Sequence, residues 1–459
     1  MTKTDDSILT ILKRYVVPAL GCTEPVSIAL AAAAAARALG CPPESMTLTL
    51  DRYILRNAIA VGVPGTDSRG VAVAAALGAF AGDPDRALMV IEGADPRDVA
   101  RAKKFAHEKR ITIAVKENAP GIYIKVEITG GGHTASAAIE GTHEHLVAVE
   151  RNGDVLFVDE AAGSQEDAWF ESFSDLTIAD AERFARSVPL SDIEYMAQGL
   201  ELTARARDVG LEHKAGLGYA TDLTALCSGG FIVGNVIARA RVDAAAASGA
   251  RMAGLAVPVL SSFGSGNQGI VINAAVGSVA RELGYIDASP PPDGGEESNG
   301  TDSSDRVIIK PEYREIVVRS LALAHIVTGI TKVYTGILSP YCEAAVTTAG
   351  AASAGCVFLM NGTPGQMANA FQLTVAATEG VFCDGAKESC ALKTSMGAGA
   401  AVENAYLSMK DNAAPRGMGI VGDDFLGTLR NFRRLAKEIR LDDVILKMLM
   451  ERDNGPDRD

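Results

Sequence analysis

The sequence predicts an α+β protein: a large all-helical domain beside a smaller α+β domain with a mainly antiparallel sheet. Three observations carry this reading. From about residue 175 onward, apolar residues recur almost everywhere at helical spacing. Between 46 and about 160, short runs alternate apolar and polar residues, punctuated by Gly130-Gly-Gly132, Gly141 and Asn152-Gly153. Ala and Gly abound while aromatics make up 5%, a composition that suits closely packed helices with small residues at their contacts. At 459 residues the chain exceeds one compact core. The expected units are 1–45, N-terminal helices packed on the helical domain; 46–165, the α+β domain; and 166–459, the helical domain.

In chain order, Ile8, Leu9, Ile11, Leu12, Tyr15 and Val16 form the apolar stripe of a helix over 7–17, which Pro18 and Gly21 end. An Ala-rich helix follows over about 25–39, and Gly40 with Pro42 and Pro43 stops it. Strands are expected at Thr47–Asp51, Ile111–Val115, Ile122–Ile128, Ala135–Glu140, Leu146–Glu150 and Val155–Asp159. Asn152-Gly153 is a hairpin turn, and helices at 69–82 and 95–108 interrupt the strands. The helical domain should contain helices at 178–186, 191–208, 225–248, 266–284, 311–334, 341–361, 365–380, 390–410, 422–437 and 441–452. Residues 287–305, with Pro290-Pro-Pro-Asp-Gly-Gly, cannot bury a core and read as a mobile surface loop.

The charge balance excludes one class of partner. A net charge of −14 without a basic block argues against nucleic acid, whose phosphates need a basic face. The polar, acidic N-terminus lacks a signal-peptide layout, and Ala29–Ala36 is too short to span a bilayer. The expectation is a cytoplasmic protein with no membrane partner and no disulfide framework among its seven cysteines. Ala-rich helix faces make a homodimer plausible.

Cysteine chemistry is the most informative signal. Cys383 and Cys390 flank Asp384-Gly-Ala-Lys-Glu-Ser389, and Cys342 lies upstream in Leu338-Ser-Pro-Tyr-Cys342. Three thiolates brought together hold an iron–sulfur cluster and leave one iron uncapped. The Cys-x6-Cys spacing is not a diagnostic ferredoxin or zinc pattern, and buried free cysteines are common, so spacing leaves both readings open. Cys41, Cys227 and Cys356 sit in helix-ending or apolar contexts. Cys22 differs: in Gly21-Cys-Thr-Glu-Pro25 it stands at a break before a helix N-terminus, where the helix dipole should lower its thiol pKa.

Other polar groups sit in unusual settings. Phe263-Gly-Ser-Gly-Asn-Gln-Gly-Ile270 is a glycine loop that leads into an apolar helix. Its N–H groups and the Ser265, Asn267 and Gln268 side chains suit a small carboxylate, or else an ordinary N-cap. Asn57 and the Val63-Pro-Gly-Thr66 turn offer further polar groups, with turn chemistry as the plain account. Lys332 and Lys393 flank the key cysteines and are candidates to attract a carboxylate. His143 and His145 lack a third ligand, so they read as a polar wall or surface and not as a metal site.

Five stretches in order resemble the L-cysteine desulfidase family, within the superfamily of the iron–sulfur L-serine dehydratase α-subunit. They are Pro18-Ala-Leu-Gly-Cys-Thr-Glu-Pro25, Val63-Pro-Gly-Thr66, Gly264-Ser-Gly-Asn-Gln-Gly269, Leu338-Ser-Pro-Tyr-Cys342 and Cys383-Asp-Gly-Ala-Lys-Glu-Ser-Cys-Ala-Leu-Lys393. The resemblance implies a [4Fe–4S] cluster on Cys342, Cys383 and Cys390 and β-elimination without PLP. Cys22 is then the base. Ser265, Asn267 and Gln268 would bind the substrate carboxylate, with Asn57, Thr66 and Lys332 as further candidates. It departs from the family at Glu343, where a glycine is expected after the cysteine, and in the long 287–305 stretch. The implied reaction converts L-cysteine and water to pyruvate, ammonia and hydrogen sulfide at a domain interface. The alternatives are an L-serine dehydratase with the same cluster and, from another class, a non-catalytic amino-acid-binding protein.

Overall fold

The structure is a computed structural model. It describes residues 3–116, 119, 121–159, 169, 172–288, 307–417, 419–439 and 444–448. Most of 287–305 and the ends of the 441–452 helix lie outside the described residues; 444–448 is helical.

Two hydrophobic cores divide the chain. Helix α1 (Lys3–Tyr15) buries Ile8, Leu12 and Tyr15 in the core of the helical part, where Tyr15 stacks on Phe263 at 5.6 Å between ring centroids. Strand β1 (Pro18–Leu20) leads to α2 (Thr23–Leu39), whose alanines and Leu39 are buried in the other core, beneath the sheet. Thus α1 lies in the helical core, while the Ala-rich helix lies in the α+β core. Its small side chains permit this. A Cβ on Gly78 would lie 2.1 Å from the Ala29 carbonyl oxygen, so α4 (Val71–Ala81) can cross α2 only at a glycine. Gly40 caps α2 at φ 73°, the left-handed stop that its Gly-Cys-Pro-Pro context predicts.

The sheet runs β3 (Ile111–Val115), β2 (Ser45–Leu50), β4 (Tyr123–Gly130), β5 (His133–Glu140), β6 (Leu146–Arg151) and β7 (Asp154–Val158). Only β2 and β3 pair in parallel, because α3 (Arg52–Ala58), α4 and α5 (Pro96–His107) carry the chain between them. Leu48 opposite Val126 and Met46 opposite Ile128 face inward, whereas Thr47 and Glu127 face out. Asn152 (φ 49°) and Gly153 (φ 88°) both adopt the positive φ of a tight hairpin turn.

The helical part contains α6 (Ile178–Ser187), α7 (Leu190–Ile193), α8 (Gln198–Glu212), α9 (Tyr219–Ser228) and α10 (Val236–Ala253). After strand β8 (Pro258–Leu260) come α11 (Gly266–Glu282), strands β9 (Ile286–Ala288) and β10 (Val307–Ile309), α12 (Arg314–Thr335), α13 (Thr347–Leu359), α14 (Pro364–Thr378), α15 (Cys390–Ser408) and α16 (Phe425–Glu438). Three expected helices change. The 225–248 stretch splits at Gly229-Gly230, and Asn235 caps the restart by accepting from the Ile237 and Ala238 N–H groups. The 191–208 stretch breaks into a turn, a 3₁₀ segment at Glu194–Ala197 and α8. The 341–361 helix starts only at Thr347, since Cys342–Val346 forms the turn that carries the cysteine. Pro311–Thr335 is the one helix among the described residues long and apolar enough to cross a membrane, and its apolar window is 83% buried inside the fold.

Within α12, His325 is fully buried, its Nδ1 lies 2.9 Å from the Ser262 hydroxyl, and burial pulls its pKa down to about 3. The unfolded chain protonates this histidine below pH 6.5 while the native state does not, so stability falls as pH drops from 6.5 toward 3. His325→Gln should flatten the stability–pH curve by about 2 kcal/mol between pH 7 and pH 5, measured by urea unfolding.

Candidate active site

Cys22, Asn57, Ser265, Asn267, Gln268, Lys332, Cys342, Cys383 and Cys390 line one cavity enclosing about 100 Å³, whereas Thr66 and Lys393 do not. It lies where the two cores meet, and short backbone pairings assemble it. Strand β1 pairs antiparallel with β8, Pro18 opposite Leu260, so Cys22 and Ser265 emerge side by side. The Cys342 N–H donates to the Val381 carbonyl (2.9 Å) and the Cys383 N–H to the Pro340 carbonyl (2.8 Å), which zips the two cysteine segments together. Gly385, at φ 96°, lies where a Cβ would stand 2.6 Å from the Arg56 carbonyl oxygen; this seats the cysteine loop on α3. Cys390 begins α15.

The three thiols share one environment. Burial pushes Cys342 up to about 12, with Cys383 and Cys390 adding to the rise, and burial likewise raises Cys390. Lys387 and Lys393 both pair with Asp384 at 2.5 Å, and both charges act on Cys390 against the rise from burial.

Cys22 differs from its sequence expectation. It is the N-cap of α2 but makes no capping bond. Burial, and then the negative charge of Glu24, push its thiol well above the ordinary range, although Arg251 pulls the other way. Desolvation outweighs the helix dipole here. Its Sγ–H instead donates to Glu24 Oε2 at 2.9 Å. Glu24 also accepts from Thr23 Oγ1 (3.1 Å) and, through Oε1, from Asn57 Nδ2 (2.7 Å). Burial raises the Glu24 pKa, but His143 and the bonds from Cys22 and Asn57 outweigh it and hold the carboxylate below its usual value. Burial in turn lowers the pKa of His143, against the pull of the Glu24 charge.

Thr66 stays outside. Its Oγ1 donates to the Val63 carbonyl at 2.8 Å, ordinary turn chemistry, and the turn braces α10 through Gly65 N–H to the Gly254 carbonyl (3.2 Å). Lys332 does reach the cavity but is committed: it pairs with Glu343 and donates to the Ile337 carbonyl at 2.6 Å. Glu343, the residue that departs from the expected glycine, also accepts from Thr335 Oγ1 (2.5 Å) and Gln268 Nε2 (3.0 Å). His143 is buried against Gly264, and His145 Nε2 lies 2.8 Å from Asp159 Oδ2, so the two rings serve different partners.

Residues 160–441 match the family model described as "Serine dehydratase alpha chain". The chain belongs to the serine dehydratase alpha chain family. It also resembles whole proteins. A UPF0597 protein of Caldanaerobacter subterraneus is 32% identical over 454 residues, covering 98% of this chain and 100% of that protein. UPF0597 proteins of Oleidesulfovibrio alaskensis (34% over 450 residues, 97% of each chain) and Clostridium tetani (31% over 452, 97% of this chain and 99% of that one) are similar. The family match takes in the glycine loop and Cys342, Cys383 and Cys390, while Cys22, Glu24 and Asn57 precede it but fall in the part similar to the UPF0597 proteins.

The serine dehydratase-like family is generally linked to iron–sulfur clusters. Among the described residues, no group of three or more His, Cys, Asp or Glu side chains is arranged to hold a single metal ion. A cluster asks for something else: each cysteine ligates a different iron, so the thiols stand apart around a shared space. Three free cysteines lining one cavity fit that donor set.

Sequence reasoning missed three cavity residues. Glu24 read only as a flank of Cys22, and Arg56 and Arg251 were not singled out, yet all three are buried at the site. A usable signal was the absence of nearby compensating charge: Glu24 stands in an apolar run, and Arg251 follows Ala-Ala-Ala-Ala-Ser-Gly-Ala.

Proposed function

We propose that this protein is an iron–sulfur lyase that removes the β-substituent of a small L-α-amino acid. L-cysteine is the first choice of substrate, yielding pyruvate, ammonia and hydrogen sulfide. The observation that supports this best is the convergence of Cys342, Cys383 and Cys390 with Cys22 and the start of α11 on one cavity. A cluster on the three cysteines would supply a Lewis acid for the leaving thiolate.

The chain's own residues then do the rest. The uncapped start of α11, with Ser265 and Asn267, receives the substrate carboxylate. Cys22 takes the α-proton, and its own thiol proton passes along the existing hydrogen bond to Glu24. Loss of the α-proton and cleavage of the C–S bond leave aminoacrylate, which tautomerises to the imine and hydrolyses with one water. Independence from PLP is supported by Lys332, the lysine lining the cavity: its amine is tied to Glu343 and the Ile337 carbonyl, so it is not a free Schiff-base partner.

L-serine dehydration at the same site is the second reading, favoured by the family match. Turnover of both amino acids by anaerobically reconstituted protein separates them. Sulfide release from L-cysteine with at least tenfold higher kcat/KM than pyruvate release from L-serine is expected, roughly 1.4 kcal/mol of transition-state preference. A clear preference for L-serine renames the enzyme, and binding of either without turnover makes it an amino-acid-binding protein.

A further inference from the structure

The geometry points to a two-point clamp for an amino-acid zwitterion: Arg251 and the first turn of α11 grip the carboxylate, and Gln268 Oε1 accepts from the α-ammonium. The inference rests on the proposed function only in taking an α-amino acid as the ligand.

Arg251 is 2% exposed in the last turn of α10 and lines the cavity. Its Nε donates to the Gly21 carbonyl at 2.8 Å and its Nη1 to Asn267 Oδ1 at 2.7 Å. Those two bonds fix the plane of the guanidinium, while Nη2 has no partner among the described residues. The group lies directly on Gly266, where a Cβ would stand 2.5 Å from Cζ and 2.7 Å from Nη2. Any side chain at the first residue of α11 would displace it. Beside it, Ser265 makes no side-chain cap, so the positive end of a 17-residue helix is left to whatever enters the cavity. A fixed guanidinium with a free N–H edge, next to free helix N–H groups, is a carboxylate site. The other cations of the cavity are engaged: Lys332 with Glu343, and Arg56 with Asn57 Oδ1 (3.1 Å) and the Ser339 carbonyl (3.3 Å).

Gln268 supplies the opposite polarity. It is 2% exposed and lines the same cavity. Glu343, held by Lys332, can only accept, so the amide nitrogen of Gln268 must be the atom facing it. Oε1 is then a buried acceptor without a partner among the described residues. A carboxylate would be repelled by that oxygen, and an α-ammonium would satisfy it. Gln268, grouped in the sequence with the carboxylate binders, is reassigned to the other end of the ligand. Arg251 enters in its place.

The test uses L-alanine, which has no leaving group, against L-alaninamide and propionate, in calorimetric titrations of the full reconstituted chain. In the wild type, both analogues should bind at least tenfold more weakly than L-alanine. Arg251→Gln should abolish the preference over L-alaninamide and keep the preference over propionate. Gln268→Met should do the reverse. If the wild type binds either analogue as well as L-alanine, or fails to bind L-alanine, the clamp is wrong. It is also wrong if Gln268→Met keeps its full preference over propionate. Should Arg251→Gln not fold, the wild-type series and Gln268→Met still decide. A correct binding pattern without elimination of L-cysteine or L-serine overturns the lyase reading alone, and elimination with the wrong pattern overturns the clamp alone.

Discussion

Cys342→Ala is expected to cut the iron and sulfide bound after anaerobic reconstitution by at least half and to lower elimination roughly 100-fold or more. The three thiols line one cavity, and the Cys342 N–H donates to the Val381 carbonyl just before the cysteine loop. Losing its sulfur leaves Cys383 and Cys390 as two ligands for a cluster that needs three. Cys356→Ala is the matched control. That thiol is fully buried, whereas Cys342 is half-buried, and it lies in α13 within the helical core and does not line the cavity. It should lose about 1 kcal/mol of stability from the small void and keep its iron. Equal iron loss in both variants would mean that thiol number and not position governs binding. Near-zero iron in the reconstituted wild type would remove the basis of the mechanism altogether.

What was legible in the sequence, and what was not, follows from the range of the forces involved. Asn152-Gly153 and Gly40 were readable because backbone geometry at a turn or a helix end is decided within a few residues. The α+β division was readable because apolar periodicity reports local structure. The pairing of β1 with β8 was not, since three residues are too few to show alternation, yet that pairing sets Cys22 beside Ser265. Thr66 and Gln268 looked alike, as polar side chains in turns beside glycines. Only tertiary structure shows that one closes its own turn while the other faces a cavity. Cys22 shows the same limit in its electrostatics. Its position before a helix is a sequence property and argues for a lowered pKa, but its burial and the neighbouring Glu24 carboxylate reverse the sign. Glu343 read only as a departure from the glycine expected after Cys342. In the fold it is the counter-ion of Lys332, and it also sets which way Gln268 points.

Glu24→Gln should lower kcat by about 10²- to 10⁴-fold, the range of a lost general acid–base contribution, with affinity for L-alanine changed less than threefold. The carboxylate is buried and accepts from Cys22, Thr23 and Asn57, so in the proposed mechanism it is both the acceptor for the thiol proton and the hub that orients Cys22. The amide is close in shape but brings an N–H₂ where a lone pair is needed. It can still meet Asn57 through its oxygen, and then it turns a donor toward the thiol. Cys22→Ala should cost a similar factor, because the two side chains act as one relay. The double variant Cys22→Ala with Glu24→Gln should therefore be no slower than either single variant by more than about threefold, a non-additivity expected when residues work as a unit. Multiplying losses would show that Glu24 and Cys22 contribute independently. A Glu24→Gln enzyme with kcat within threefold of the wild type would place the proton acceptor elsewhere in the cavity. Glu24→Asp separates orientation from basicity. It keeps a carboxylate but withdraws it by one methylene from the 2.9 Å contact with Sγ, so partial activity implicates basicity and full loss implicates position.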